Sequence, residues 1–360
     1  MSKSSHYGLI LAGGRGTRFW PRSRRAKAKQ VLSFLGERTL IQQTVDRLAP
    51  VIPPERMWIL TNDYLRDEII AQLPEVPKKQ ILAEPAQRNT APCIGLAAHI
   101  LSSIDKDAVM GVFPADHIIS KPKRYIRLVK PAFKAAEAGN IAVIGIQPRW
   151  AETGYGYVEF KGNDIEPGST TPQPVASFQE KPDAKKAKKF LAAKRFYWNA
   201  GMFFWKASVL TEALRQFQPK IWSLLAGLPA FNSRQFGTKV REVFPLCENI
   251  SIDYAVLEKA KNVVGIAADD IGWSDVGSWN AVYELLPRDA QGNAAVSDAL
   301  LSDATGCYVD AKGKLVALLG VKDLVIVDTP DALLIVDRNR AQEVGSIVKA
   351  IEARKREDLL

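Results

Sequence analysis

Short apolar runs at residues 9–12, 57–60, 80–83, 108–113 and 141–146 are separated by stretches of helical apolar spacing at 40–48, 64–73, 91–104 and 131–138. No other feature constrains the fold as tightly. Apolar strands alternating with helices form βαβ units, and their near-continuous hydrophobicity requires cover on both faces. The expectation is an α/β domain with a Rossmann-like, mostly parallel mixed sheet and helices on both sides. Ligands of such sheets collect at the carboxyl ends of the strands. The polar residues that follow each run are therefore the candidates for chemistry.

The first run leads into Gly13, Gly14, Arg15, Gly16, Thr17 and Arg18, and the basic stretch behind them closes at Lys29. Glycine admits positive φ and lets the backbone approach a ligand. Loop amides flanked by guanidinium and ammonium groups form an anion cradle, which is the chemistry of a bound triphosphate. A plain tight turn is the other reading. Neither common nucleotide motif is present. Position 19 is Phe where a dinucleotide fingerprint has its third glycine, and no Gly-Lys-Ser/Thr follows.

At 360 residues the chain is long enough for one large domain or two, with a sizeable core. Its formal net charge of +10 draws on basic clusters at 22–29 and 185–195. The second cluster reads as a helix with Phe190 and Leu191 on its apolar side. No helix-turn-helix, aromatic RNA-binding strand or zinc finger accompanies them, so no nucleic-acid partner is expected. Attraction of polyanionic small substrates is the simpler use of the charge. No apolar stretch approaches the ~20 residues of a membrane span, and the opening residues lack a secretory pattern. A cytoplasmic location without membrane attachment is expected. Cys93, Cys247 and Cys307 are scattered, as are His6, His99 and His117. That spacing argues against disulfides and zinc. A catalytic cation would be held by carboxylates, which suits Mg2+.

Beyond about residue 150 the pattern loosens. Gly154-Tyr155-Gly156 and residues 162–174 read as loops around a hairpin, with strands at 175–180 and 202–205. After a boundary near 288, strand-like pieces at 306–310, 315–319, 324–328 and 332–336 recur about every nine residues. Such spacing suggests a small β-helix-like domain. The expected organisation is a catalytic domain over 1–287, the β-helix-like domain over 288–340, and a closing segment, 341–360, with an amphipathic helix at 341–356.

Asp116 ends one apolar run, either at the sheet edge or as a cap on the next helix. Asp275 is a second isolated acid, within Gly272-Trp-Ser-Asp-Val-Gly-Ser-Trp279. Two carboxylates meeting over a phosphate cradle would hold Mg2+ through hard oxygen ligands. The loop carrying Glu84, Gln87, Arg88, Asn89 and Thr90 enters a helix that Asn89 or Thr90 would cap. Glu180 and Lys181 end a strand as an acid–base pair, which a surface ion pair would also explain. Asn199 precedes an apolar strand and offers both a donor and an acceptor. Asp253 stands where it or Ser251 would cap a helix.

The segment LAGGRGTRFWPRSR, followed by Ala28-Lys29-Gln30, resembles the opening of the sugar-phosphate nucleotidylyltransferases. Specifically, it is similar to the bacterial mannose-1-phosphate guanylyltransferases, whose loop reads Gly-Gly-x-Gly-x-Arg-Phe-Trp-Pro and whose Pro-Lys-Gln is here Ala-Lys-Gln. The matches run from residue 8 to 279 in the family's order. The resemblance implies that GTP and α-D-mannose 1-phosphate give GDP-mannose and diphosphate. It implies nucleotide contacts from Leu11, Ala12, Gly13, Gly14, Gly16, Thr17 and Arg18, with Glu84, Arg88, Asn89 and Thr90 at the guanine. Gly154, Tyr155, Glu180, Lys181, Asn199 and Asp253 would meet the sugar, and Asp116 and Asp275 the Mg2+. Arg18, Lys29, Asp116, Lys181 and Asp275 would carry catalysis. The alternatives are the same chemistry on another sugar 1-phosphate such as glucose 1-phosphate, another nucleotide, or a sugar-nucleotide sensor without turnover. Relatives that continue into a phosphomannose isomerase domain exist, and no isomerase activity is expected here. An exposed β-helix edge would favour a homodimer through the C-terminal region.

Overall fold

The computed structural model describes residues 5–162 and 165–360. The loop expected at 162–174 includes residues 163 and 164, which lie outside the described residues, as do residues 1–4. The strands of the first domain are His6–Leu11 (β1), Met57–Thr61 (β2), Ile81–Ala83 (β3), Val109–Pro114 (β4), Ile118–Ile119 (β5) and Ile141–Ile146 (β6). Tyr157–Phe160 (β7), Gln173–Gln179 (β8), Phe196–Lys206 (β9), Val263–Ala268 (β10) and Trp273–Ser274 (β11) complete them. Nine of these form one sheet in the order β3-β2-β1-β4-β9-β6-β10-β8-β7. Its β3-β2, β2-β1, β1-β4 and β6-β10 pairs are parallel. β9 runs against β4 and β6, and β8 runs against β10 and β7. The sheet is therefore mixed, as expected.

Successive side chains on a strand point to opposite faces, and the sheet has a core on each. Ile10, Ile59, Phe113, Ile144 and Phe204 pack on one side, and Leu9, Leu60, Val112, Val143 and Phe203 on the other. Two elements differ from expectation. The helix expected from 131 runs over Pro122–Glu137 with Pro131 inside it. Proline costs a helix one backbone bond, yet the stripe of Tyr125, Leu128, Val129, Ala132 and Phe133 is buried across it and decides the outcome. The strand expected at 202–205 begins at Phe196, because Trp198 pairs with β6 on one side and β7 on the other. Asn199 therefore lies within the strand rather than before it.

The C-terminal strands are Ala294–Ala295 (β12), Ala299–Ser302 (β13), Tyr308–Ala311 (β14), Val316–Leu319 (β15), Leu324–Asp328 (β16) and Leu333–Asp337 (β17). β12, β14 and β16 stack in parallel, β13 and β15 do the same, and β17 returns antiparallel along β16. This is a short β-helix closed by one hairpin. The final helix is Val344–Ala353, shorter than expected because Arg338–Glu343 forms a 3-10 turn. A third core joins the glycine loop to this region: Phe19, Trp20, Phe34, Trp279, Tyr308, Val325 and Val344 pack together.

That junction takes up three cations of the 22–29 basic cluster, leaving Lys29 at the sheet edge. Arg22 pairs with buried Asp310 at 2.8 Å, Arg24 with Asp331 at 3.0 Å and Arg25 with Glu357 at 2.5 Å. Trp20 Nε1 donates to the Leu359 carbonyl at 2.9 Å. These charges fasten the C-terminal region to the catalytic loop.

Candidate active site

Parallel register decides which loops meet. Leu11 lies opposite Pro114 on one side and Leu60 on the other, and Thr61 lies opposite Ala83. The segments that follow, carrying Gly13–Gly16, Asp116 and Glu84, therefore emerge side by side at one sheet edge. A cleft of about 580 Å³ lies there, lined by Leu11, Ala12, Gly13, Gly14, Glu84, Arg88, Asn89 and Thr90. Asp116, Asn199 and Asp253 also line it. Gly16, Thr17, Arg18, Lys29, Gly154, Tyr155, Glu180, Lys181 and Asp275 stand outside its lining.

Of the three loop glycines, Gly16 alone has positive φ, 61°. Its hydrogen faces Lys29: a Cβ there would lie 2.6 Å from Lys29 Cβ. Lys29 is buried, and its Nζ donates to Asp116 Oδ2 at 2.9 Å and to the Asp275 carbonyl at 2.5 Å. Lys29 thus ties together two segments 159 residues apart in sequence, since 275 − 116 = 159. Pairing of β5 with β11 brings the same segments together. Burial pushes the Asp116 carboxyl up, but the Lys29 ammonium and its hydrogen bond, with His117 and a backbone amide, together hold the group below the usual range. Burial drives the His117 imidazole down to about 4, so it is neutral at pH 7. Trp273 Nε1 donates to its Nδ1 at 3.2 Å. Tyr155 donates to Asp275 Oδ1 at 2.6 Å, its ring edge-on to Trp198 and Trp273.

Asp116 and Asp275 offer only hard oxygen donors, and Lys29 and Tyr155 engage one carboxylate oxygen of each. With phosphate oxygens this donor set fits a divalent cation. Among the described residues, no cluster of three or more His, Cys, Asp or Glu suits a metal on its own.

Arg18 Nη1 donates to Gln342 Oε1 at 2.6 Å, and Arg15 pairs with Glu352 at 2.7 Å. Both guanidiniums are engaged by the C-terminal region. Arg88 Nε and Nη2 donate to the Pro245 carbonyl at 2.8 and 2.5 Å, which fixes its fork at the cleft wall. Asn89 caps the helix Thr90–Ile104 at φ 63°, its Oδ1 accepting from the Thr90 amide at 2.9 Å. Thr90 Oγ1 accepts from the Ile252 amide at 2.8 Å. Burial pushes the Glu84 carboxyl up to about 7.

On the opposite side, Asn199 Nδ2 donates to Asp253 Oδ1 and its Oδ1 accepts from the Gly201 amide, both at 3.0 Å. Each end of the amide retains one further hydrogen-bonding position. Glu180 turns inward: its Oε2 is buried without a hydrogen-bond partner among the described residues. Burial first and Asp253 second push its pKa up to about 7. Lys181 stands exposed beside it, Nζ 3.5 Å from Glu180 Oε1. Gly156 leaves room for this carboxylate, since a Cβ there would collide with Glu180. Gly154 is exposed, its amide bonded to Glu152 at 2.8 Å.

Sequence reasoning missed Gln30, which is buried and donates from Nε2 to the Ala12 and Gly14 carbonyls at 2.6 and 3.0 Å. It holds the glycine loop open towards the cleft. Its place beside Lys29 was the available signal. Asn249 also lines the cleft and carried no pattern of its own, beside Arg15 of the glycine loop and Phe203 of the expected 202–205 strand.

A glycine cradle, a lysine and two carboxylates at the edge of this sheet define a nucleotidyl transferase. The nucleotidyl transferase family model matches residues 7–292, and the chain belongs to that family. A second model, the mannose-phosphate isomerase/GMP-like β-helix domain, matches residues 298–351. Within the family the chain is 38% identical over 356 residues to the mannose-1-phosphate guanylyltransferase of Klebsiella pneumoniae, spanning 97% of this chain and 74% of that one. It is also 38% identical over 354 residues to the Escherichia coli enzyme of that name, with the same coverages. The crystal structure of a mannose-1-phosphate geranyltransferase from Thermus thermophilus superposes with a TM-score of 0.83 at 32% identity, over 97% of this chain and 100% of that one.

Proposed function

We propose that the chain is a mannose-1-phosphate guanylyltransferase, converting GTP and α-D-mannose 1-phosphate to GDP-mannose and diphosphate. The observation that carries this reading is Lys29 Nζ bridging Asp116 and Asp275 beside the glycine loop. A phosphate oxygen of the sugar phosphate forms the new bond to the α-phosphorus of GTP as the bond to the β-phosphate oxygen breaks. The nucleophile is already anionic, so no general base is required. The barrier lies in bringing anions together and in charge growing on the leaving diphosphate, which positioning and electrostatic stabilisation lower.

Gly13–Gly16 amides would bind the phosphates, with Arg15 and Arg18 exchanging Glu352 and Gln342 for phosphate oxygens. Lys29 would stabilise the developing charge, and Lys181 would aim the sugar phosphate. Glu180, Asn199 and Asp253 would bond sugar hydroxyls, and Tyr155 would hold Asp275 in place. Glu84 and Arg88 would meet the guanine, with Asn89 and Thr90 shaping that wall. Asp116 and Asp275 would hold Mg2+, which when bound supplies neutralisation of phosphate charge. Its dependence on GTP makes the cytoplasm the setting of this reaction.

The test is a panel of nucleoside triphosphates and sugar 1-phosphates with diphosphate release as the readout. Preference for GTP with mannose 1-phosphate is expected. Preference for another pair redirects the substrate assignment, and GDP-mannose binding without turnover on any pair overturns the enzymatic one.

A further inference from the structure

A second cavity, of about 640 Å³, lies in the groove between the helices Leu40–Leu48 and Pro122–Glu137. It shares no lining residue with the catalytic cleft. Lys123, Arg127 and Lys130, spaced four and three residues apart on one helix face, form one wall. All three are exposed, and none makes an ion pair or hydrogen bond among the described residues. Arg47, only 7% exposed, forms part of the other wall. The single hydrogen bond of its guanidinium among the described residues is from Nη2 to Thr44 Oγ1, at 2.7 Å. No carboxylate among the described residues pairs with it, and burial pulls it down to about 10. The one acid in the lining, Asp46, is already taken in bidentate fashion by Arg38 at 2.9 and 2.7 Å. Ile119 and Ile126 add an apolar surface.

A buried cation without a directly bonded carboxylate is costly, and the more distant Asp116 and Asp46 offset the burial of Arg47 only in part. Three further cations, exposed and unpaired among the described residues, add positive potential along the same groove. An anion seated between the helices offsets both, and guanidinium forks bind phosphate oxygens in bidentate geometry. We propose that this groove is a second binding site, distinct from the catalytic cleft, for the phosphate group of a small phosphorylated organic molecule. Arg47 and Arg127 grip the phosphate, Lys123 and Lys130 add charge at the rim, and the isoleucines face the organic portion.

Isothermal titration of the full chain with inorganic phosphate and with glucose 6-phosphate tests this, against the double variant Arg127→Ala/Lys130→Ala. Both substituted side chains are exposed and outside the catalytic cleft, so the variant keeps its fold and basal turnover. The heat lost between the two proteins then belongs to the groove, whatever the cleft itself binds. Wild type is expected to bind both probes at this site, glucose 6-phosphate more tightly, with affinity falling at least about tenfold in the variant. Identical isotherms for the two proteins overturn the site. Equal affinity for the two probes overturns the organic portion and leaves a site for the free anion.

Discussion

Replacing Lys29 with alanine removes an ammonium that touches Asp116 Oδ2 at 2.9 Å and the Asp275 carbonyl at 2.5 Å. Two consequences separate cleanly. Loss of one preorganised stabilising group at a reacting centre costs on the order of 2.7–4 kcal/mol, a fall in kcat of roughly 100- to 1000-fold. The stability cost is smaller. Asp116 is 37% exposed at its side chain, so its freed charge is partly solvated, and about 1–2 kcal/mol is expected. That cost depends on pH with a definite sign. The Asp116 carboxyl is held below its ordinary 3.8 in the folded chain, so the stabilisation is present above 3.8 and lost as pH falls through the lowered value. The stability gap between wild type and variant should therefore narrow in acid. Steady-state diphosphate release at saturating GTP and mannose 1-phosphate gives the first quantity, and denaturant unfolding at pH 7 and pH 3 gives the second. A variant whose kcat stays within about threefold of wild type removes Lys29 from the mechanism. A stability gap that widens in acid refutes the electrostatic reasoning.

Glu84→Gln tests the buried carboxyl at the cleft wall. Its folded pKa of about 7 lies above the ordinary 4.5, so wild type loses stability as pH rises between those values, and the variant does not. At pH 8 the variant should be more stable by up to about 3 kcal/mol in urea unfolding. The KM for GTP is expected to fall in wild type as the carboxylate forms to accept from the guanine, and to be flat in the variant. Gly16→Ala forces a Cβ into Lys29 at positive φ and should cost at least about 1–2 kcal/mol together with most of the activity. Gly14→Ala meets nothing within 4 Å and should unfold like wild type by calorimetry. Tyr155→Phe deletes the bond to Asp275 and keeps the ring between Trp198 and Trp273. A loss of about 1 kcal/mol in stability and roughly tenfold in kcat is expected, and unchanged kinetics would show that Asp275 needs no support from it.

Legibility followed physical range. The helix Leu40–Leu48 and the strands β1 to β4 were readable because each carries its own period of apolar residues. Pro131 misled because the local penalty of a proline in a helix was weighed without the sheet that buries its neighbours. The strand is expected to start only at 202 because Asn199 and Gly201 signal a break, whereas strands on both flanks supply the bonds that extend it back to Phe196. The glycine loop and each acid were visible one at a time. That they meet is expected from the resemblance. That Lys29 is the group binding both acid segments, and that Gln30 clasps the loop, is not, since no local pattern encodes a contact across the fold.

The sequence by itself determined the alternation of strands and helices, the anion-binding composition of the first loop and the isolation of Asp116 and Asp275. Tertiary structure decided which charges remain for substrate. Arg22, Arg24 and Arg25 carry the same formal charge as Lys29 in the sequence, but the C-terminal region supplies them with Asp310, Asp331 and Glu357. Lys29 instead meets Asp116 at the sheet edge. A charge acts through what lies within a few ångströms of it, and that neighbourhood exists only once parallel register has brought distant strand ends together.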